Sequence, residues 1–489
     1  MDADLRATKT RYLVVAVLSF FITLSCWSFS SSIGSGGDID AHISSIWCAW
    51  GEKPGMCEND SNSTAQVPYM FQMCDGRPID SWPACDKVSS SEKMQTLRII
   101  GESARSPYYS IMRVFATTDP QQSILTMRLV NSFIASVIFF GLLKLTSGRT
   151  RVAAISAMTF TLIPVAIMRI PSINPHGWAI LGVMTSWAFL HGFINTPRSD
   201  RRKKLLLVFF IFSVLLPATT RVDATTYIVF TSSLVLLNHY HTARRVSKNE
   251  KIIGLGLVAV CLTVIKVSEH VRGYLSLSKP IGSQFNQYLI FQLVHIPESL
   301  VEIFGYAVGQ QGNGPGLVGI VGLSLFAICL TFALQQSQKQ DLAITGIIVA
   351  FLAVVMYKGA TVVNSLIPLP GTYALGLMSF LLGMSIVCSR SEKQFMNGRS
   401  NRRTVISLLA FTHAIVFFSW MELYTHGESS IGFFSKQTLG SYSQLSLSGG
   451  WWWDTWISPN FVFLLGILSF PVFLVYAWKI IETDGVSTV

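Results

Sequence analysis

Charge is what this sequence has least of. Only 13% of its 489 residues are Asp, Glu, Lys or Arg, against 50% hydrophobic, whereas a soluble chain carries about a quarter charged. A soluble globular protein of this length is thereby excluded. Several motifs are missing too. No G-x-x-x-x-G-K-[ST] occurs, so no P-loop powers the protein, and "GQQGNGPG" follows no strand and opens an apolar run. Neither G-x-S-x-G nor H-E-x-x-H is present. No internal repeat stands out.

What is present is apolar length. Mean hydropathy is +0.47, and runs of roughly 17–25 residues, the length that crosses a bilayer, recur from end to end. The fold class read from this is an all-α integral membrane protein with about twelve transmembrane helices (eleven to thirteen). Amphipathic helices are expected in its extracytoplasmic loops. The spans are expected near 12–29, 124–145, 152–168, 177–194, 205–216, 227–240, 252–267, 316–334, 342–357, 373–388, 405–421 and 460–480. The fifth is short and suits a tilted or re-entrant helix. The first apolar stretch is too long for a signal-peptide core and no A-x-A follows it, so it reads as a retained span.

The formal net charge of +11 does not point to nucleic acid. Its basic residues cluster in "SGRTR", "NTPRSDRRKK", "HTARRVSKNEK" and "SRSEKQFMNGRSNRR", alternating with acidic or neutral loops. That is the positive-inside pattern. It places both termini in the cytoplasm of a plasma membrane, with the bilayer as a partner. Residues 1–489 then form a single polytopic domain, with extracytoplasmic loops at 30–122, 268–315, 358–372 and 422–459.

Four of the eight cysteines, Cys48, Cys57, Cys74 and Cys85, fall in the first of these loops. An even number there suggests two disulfides with three possible connectivities. Local pairing, Cys48 with Cys57 and Cys74 with Cys85, is the preferred one. Zinc is the weaker reading, because no C-x-x-C half-site exists.

The stretch "GSGGDIDAHISSIWCAW" (34–50) sits where the first span ends. Ile39, Ile43 and Ile46 make one stripe, so the segment reads as an amphipathic helix on the membrane surface. Asp38 and His42 are four residues apart and share a face, while Asp38 and Asp40 diverge if both are helical. Asp38 and His42 are therefore the candidate pair in this stretch, with Asp40 secondary. An N-cap carboxylate is the plain alternative for Asp38. No cofactor is demanded, although a divalent cation on the two acids stays open.

Other polar groups gather on the same side. "MRIPSINPHGWAI" offers Arg169, Asn174 and His176, or else is an ordinary tight connection with an interfacial Trp178. Arg221 and Asp223 in "TRVDATTY" sit at a membrane edge, where charge is expensive and functional by default, unless they pair with each other. Arg128 carries the same ambiguity. "NSLIPLPGTYALG" and "SLSGGWWWDTWISPNF" add Tyr373, Trp452 and Asp454. Their tryptophans read as an aromatic belt or as a platform for sugar rings.

Taken together, these motifs resemble the GT-C glycosyltransferase superfamily, and most nearly an actinobacterial multi-spanning family of formerly unknown function placed near it. Its D-E-x-A-H-[FI] is matched by "DIDAHI", with Ile39 in place of the second acid. Its N-P-[SH]-G appears as "NPHG", and "RSPYYSIMRVF…MRLVNSF" resembles its H-P-P-L-Y-Y…R-L segment, with Arg105 where histidine is common. "TRVDATTY" resembles its Thr/Ser-Arg motif. Its Gly-Arg-Tyr appears as "GTY", without the arginine at Thr372.

The resemblance implies an inverting transfer of a sugar, arabinofuranose among the options, from a polyprenyl-phosphate donor to a cell-envelope glycan or glycolipid outside the membrane. In that reading Asp38 is the catalytic general base, with His42 and Asp40 beside it in sequence. Arg221, Arg128 and Arg169 bind the donor phosphate, and Asn174, His176, Tyr373, Trp452 and Asp454 bind substrate. The rival expectation is a transporter or flippase of a lipid-linked glycan. A weaker third is an accessory subunit.

Overall fold

The computed structural model describes residues 2–33, 39–61, 63–68, 94–99, 106–220, 222–243, 256, 316–335, 346, 375–389, 399–426, 451, 453 and 455–485. Its long helices are α1 (Asp2–Phe29), α4 (Pro120–Leu145), α5 (Gly148–Thr161), α7 (His176–Asn195), α8 (Arg202–Ala218) and α9 (Val222–Ala243). Further along lie α10 (Gly316–Gln335), α11 (Leu375–Cys388), α12 (Arg399–His426) and α13 (Pro459–Gly485). Short elements α2 (Ile39–Trp47), β1 (Thr64–Pro68), β2 (Met94–Arg98), α3 (Pro107–Met112) and α6 (Ile167–Arg169) complete the set. Among the described residues, five helices are long and apolar enough to cross a membrane. The expected spans fall on helices, except 252–267 and 342–357, of which only Gly256 and Gly346 are described.

Side chains set the helix directions. Tyr12 meets Tyr476, Phe20 meets Phe473 and the hydroxyls of Thr23 and Ser469 lie 2.8 Å apart, so α1 and α13 run antiparallel. Phe20 against Phe139 and Ser28 hydrogen-bonded to Ser132 (3.0 Å) make α4 antiparallel to α1 as well. The indole N–H of Trp27 donates to His413 of α12 at 3.0 Å, and that ring stacks on Phe470 of α13. In hydrocarbon such hydroxyl and imidazole links replace the hydrophobic drive between helices. Val14, Leu18, Phe133, Phe140, Leu464 and Leu468 point outward and exposed, the apolar belt a bilayer would cover.

The second half of the bundle closes on small residues. A Cβ at Gly182 would lie 2.4 Å from the Pro217 ring and 2.5 Å from the Ser213 carbonyl, and one at Gly383 would lie 2.1 Å from the Trp187 indole. Backbones approach this closely only without a side chain. Gly182→Ala is expected to destabilise the protein by about 1–3 kcal/mol through overpacking of α7 on α8. A thermal melt in detergent checks this, and an unchanged Tm would show that the contact is looser than described.

The third expected span is interrupted. α5 passes through one π turn at Leu162–Ala166 before α6, because Pro164 has no amide hydrogen to give the helix ladder.

Two expectations need correction. The bundle is helical, but β1 and β2 pair antiparallel, Thr64 opposite Arg98 and Pro68 opposite Met94, so the first loop is not purely α. And α2 does not lie on a surface: all nine of its residues are buried. Its isoleucine stripe is there, but its polar face is covered by β2 and α3. Local pairing of Cys48 with Cys57 is as expected. Cys74 and Cys85 lie outside the described residues.

Candidate functional site

The helix α2 opens at Ile39, one residue after Asp38, which itself lies outside the described residues. Its first-turn carboxylate, Asp40, is 5% exposed and receives both arms of Arg98: Nε to Oδ2 at 2.5 Å and Nη2 to Oδ1 at 2.8 Å. This is the planar, two-point match of guanidinium to carboxylate. One turn on, the Ser44 hydroxyl donates to the carbonyl of Arg98. Two links thus strap α2 to β2, whose Leu97 is buried against it. Between them His42 shares a 2.9 Å hydrogen bond through Nδ1 with the Tyr109 hydroxyl, and the two rings lie 6.0 Å apart.

From Tyr109 the contacts spread to other candidate segments. Tyr108 packs edge-on against both Tyr109 and Trp178, 4.9 Å from the latter. Its N–H donates to the Thr219 carbonyl at 3.0 Å, two residues before Arg221. Burial raises the Tyr108 phenol well above its ordinary value, and Asn131 beside it draws it partly back. Trp178 Nε1 donates to Asn131 Oδ1 at 2.8 Å, and Asn131 Nδ2 donates to the Ser172 carbonyl at 2.6 Å. The fully buried Tyr108 is therefore a hub. With Tyr109 it joins α2, the turn between α8 and α9, and the start of α7.

"NPHG" is the opening of α7. The side-chain oxygen of Asn174 accepts the His176 N–H at 2.9 Å, and its carbonyl accepts that of Gly177 at 3.0 Å. Asn174 thus satisfies donors that a helix start leaves unpaired. Gly177 lets the turn close, since a Cβ there would lie 2.5 Å from the Arg169 carbonyl. That carbonyl also accepts the Ser172 hydroxyl at 2.7 Å. Arg169 and His176 are both half-buried at this end of the bundle.

Arg128, one turn before Asn131, is 4% exposed. It donates to the carbonyls of Ser28 (3.1 Å), Ser31 (2.8 Å) and Ser32 (2.8 Å), and its guanidinium sits 5.5 Å from the Trp453 ring centre. Trp453 in turn donates to the Phe29 carbonyl at 2.8 Å. Both residues hold the chain where α1 ends, so Arg128 is placed as an anchor of the segment leading to Asp38. Arg221, Tyr373, Trp452 and Asp454 lie outside the described residues.

For a divalent cation on the two acids, Asp40 is an unpromising ligand because both its oxygens already hold Arg98. Cys48 and Cys57 lie close to Asp60, but their sulfurs are joined to each other. Among the described residues neither group fits a metal.

Four residues at this end were not singled out from the sequence: Arg98, Tyr108, Tyr109 and Arg113. Arg98 faces Asp40 only because β2 folds back from 58 residues away. The tyrosines read as part of a motif without a role, since no local pattern shows which ring meets which helix.

No curated protein and no solved structure matches the chain. A family model described as "Predicted membrane protein (DUF2142)" matches residues 20–314, more than half of the chain. That stretch includes α2, α3, Arg128 and "NPHG", and the chain accordingly belongs to the DUF2142 family of predicted membrane proteins.

Proposed function

We propose that the protein is a GT-C-type glycosyltransferase working at the extracytoplasmic face of a bacterial plasma membrane. It transfers a sugar, arabinofuranose first among the candidates, from a polyprenyl-phosphate donor to a cell-envelope glycan or glycolipid. One observation carries the reading: α2, the turn at Thr219 and the start of α7 all meet on Tyr108 and Tyr109 at one end of the bundle. The sequence neighbours of those contact points are Asp38, Arg221 and "NPHG".

In this mechanism Asp38 takes the proton of the acceptor hydroxyl as its oxygen attacks the anomeric carbon. The bond from that carbon to the phosphate oxygen breaks from the opposite side, inverting the centre. The lipid phosphate leaves with the electron pair, and a cationic group stabilises it. No nucleotide enters the reaction. His42, held by Tyr109, follows the base by four residues in sequence.

A flippase for a lipid-linked glycan is the second reading. It is favoured by the buried hydroxyls of Ser156, Thr159, Ser186 and Ser379, which have no hydrogen-bond partner among the described residues and would suit a polar path through the bundle.

Purified protein in nanodiscs, given synthetic polyprenyl-phosphate sugars and candidate acceptors, is expected to yield a glycosylated product detectable by mass spectrometry. Donor flipping in proteoliposomes without turnover would overturn the transferase and install the flippase.

A further inference from the structure

Among the described residues, Arg113 has no counter-charge. Arg113 follows α3 directly and is 5% exposed. Among the described residues its side chain makes one hydrogen bond, from Nη1 to the Ala116 carbonyl at 3.1 Å, and Nε is buried without a partner. Its guanidinium lies 5.4 Å from the ring centre of Trp50, a side chain that is itself 63% exposed. No carboxylate pairs with it among the described residues. Desolvation is accordingly the cause of its lowered pKa. Arg98 and Arg128, by contrast, spend their donors on Asp40 and on three carbonyls.

A buried, unpaired charge is costly, and chains normally neutralise it or pair it. At a membrane edge, such a residue is a functional site by default. Its unused donors, its charge and an aromatic wall on one face suit an anion that accepts several hydrogen bonds, which is the geometry of guanidinium with phosphate.

We infer that Arg113, walled by Trp50, binds a phosphate group at this end of the bundle. The inference rests on the proposed function only for the source of that phosphate, which there is the lipid-linked donor. A soluble phosphate ion is the other source, and the experiment separates the two. Arg113 and His42 approach the same helix pair: Trp50 follows α2 and Arg113 follows α3, so the anion would sit at the far end of the His42–Tyr109 contact.

The test uses the full chain in detergent, with thermal shift and tryptophan quenching as readouts and farnesyl phosphate, farnesol and inorganic phosphate as probes. Farnesyl phosphate is expected to raise the Tm. Arg113→Met should weaken its binding about tenfold to a hundredfold, the equivalent of one charge-assisted hydrogen bond, and Arg113→Lys should weaken it less. Without ligand, Arg113→Met should keep or raise the Tm, since it replaces an unpaired cation with apolar atoms.

A lower Tm in Arg113→Met with the phosphate-dependent shift intact would make the arginine structural and overturn the inference. So would an equal shift with farnesol. If Arg113→Met fails to fold, unchanged farnesyl phosphate binding in Arg113→Lys and in Trp50→Ala overturns it as well. An equal shift with inorganic phosphate supports the anion site and assigns its ligand to solution. Absence of sugar transfer by the unsubstituted protein, with phosphate binding intact, counts against the transferase and not against this site.

Discussion

Asp38→Asn is expected to slow sugar transfer by about 10²–10⁴-fold, the usual contribution of a general base, while leaving the fold intact. Asp40→Asn is expected to do the reverse. Asp40 is buried and held by both arms of Arg98, so losing its charge loosens α2 from β2. Because Arg98 is 60% exposed, solvent screens the pair, and the loss should be about 1–2 kcal/mol rather than the full value of a buried bridge. Transfer rates per folded molecule and thermal melts of both variants check this. If Asp40→Asn abolishes transfer at an unchanged Tm while Asp38→Asn stays active, the two carboxylates exchange roles and the proposed base is wrong.

The second large effect concerns Arg128. Arg128→Met is expected to destabilise the protein by about 3 kcal/mol, because it leaves the buried carbonyls of Ser28, Ser31 and Ser32 without their charged donor. A cation placed at the C-terminal end of α1 also meets the negative end of its dipole. Arg128→Lys retains the charge but not the fork, and should recover part of the loss. Thermal unfolding in detergent measures both. A Met variant with wild-type Tm and no affinity for a polyprenyl phosphate would make Arg128 a ligand-binding residue in place of an anchor.

Much of the bundle was legible in the sequence because lipid imposes a one-dimensional rule: about twenty apolar residues close their own backbone hydrogen bonds across the hydrocarbon. Length and hydropathy are enough to find such segments, and α1, α4, α7, α12 and α13 fall where expected. The Cys48–Cys57 pairing was readable for a similar reason, since short separation in sequence forces proximity.

The first loop was less legible. Its isoleucine stripe predicted a helix correctly, but a stripe says nothing about what covers the opposite face. Only a strand returning from Met94–Arg98 buries Asp40 and converts a surface helix into a packed one. Likewise "MRIPSINPHGWAI" read as a source of binding groups or as an ordinary tight connection, and the bonds from His176 and Gly177 to Asn174 show that "NPHG" opens a helix.

By itself, then, the sequence determined a helical membrane protein whose candidate site residues fall near the ends of apolar runs, because hydropathy and charge are local quantities that the bilayer reads directly. The tertiary structure alone decided which cations are spent. Arg98 is committed to Asp40 and Arg128 to the carbonyls at the end of α1, while Arg113 is buried, among the described residues, with only Trp50 and one carbonyl. Partner choice is a matter of distances across the fold, and no spacing along the chain encodes it.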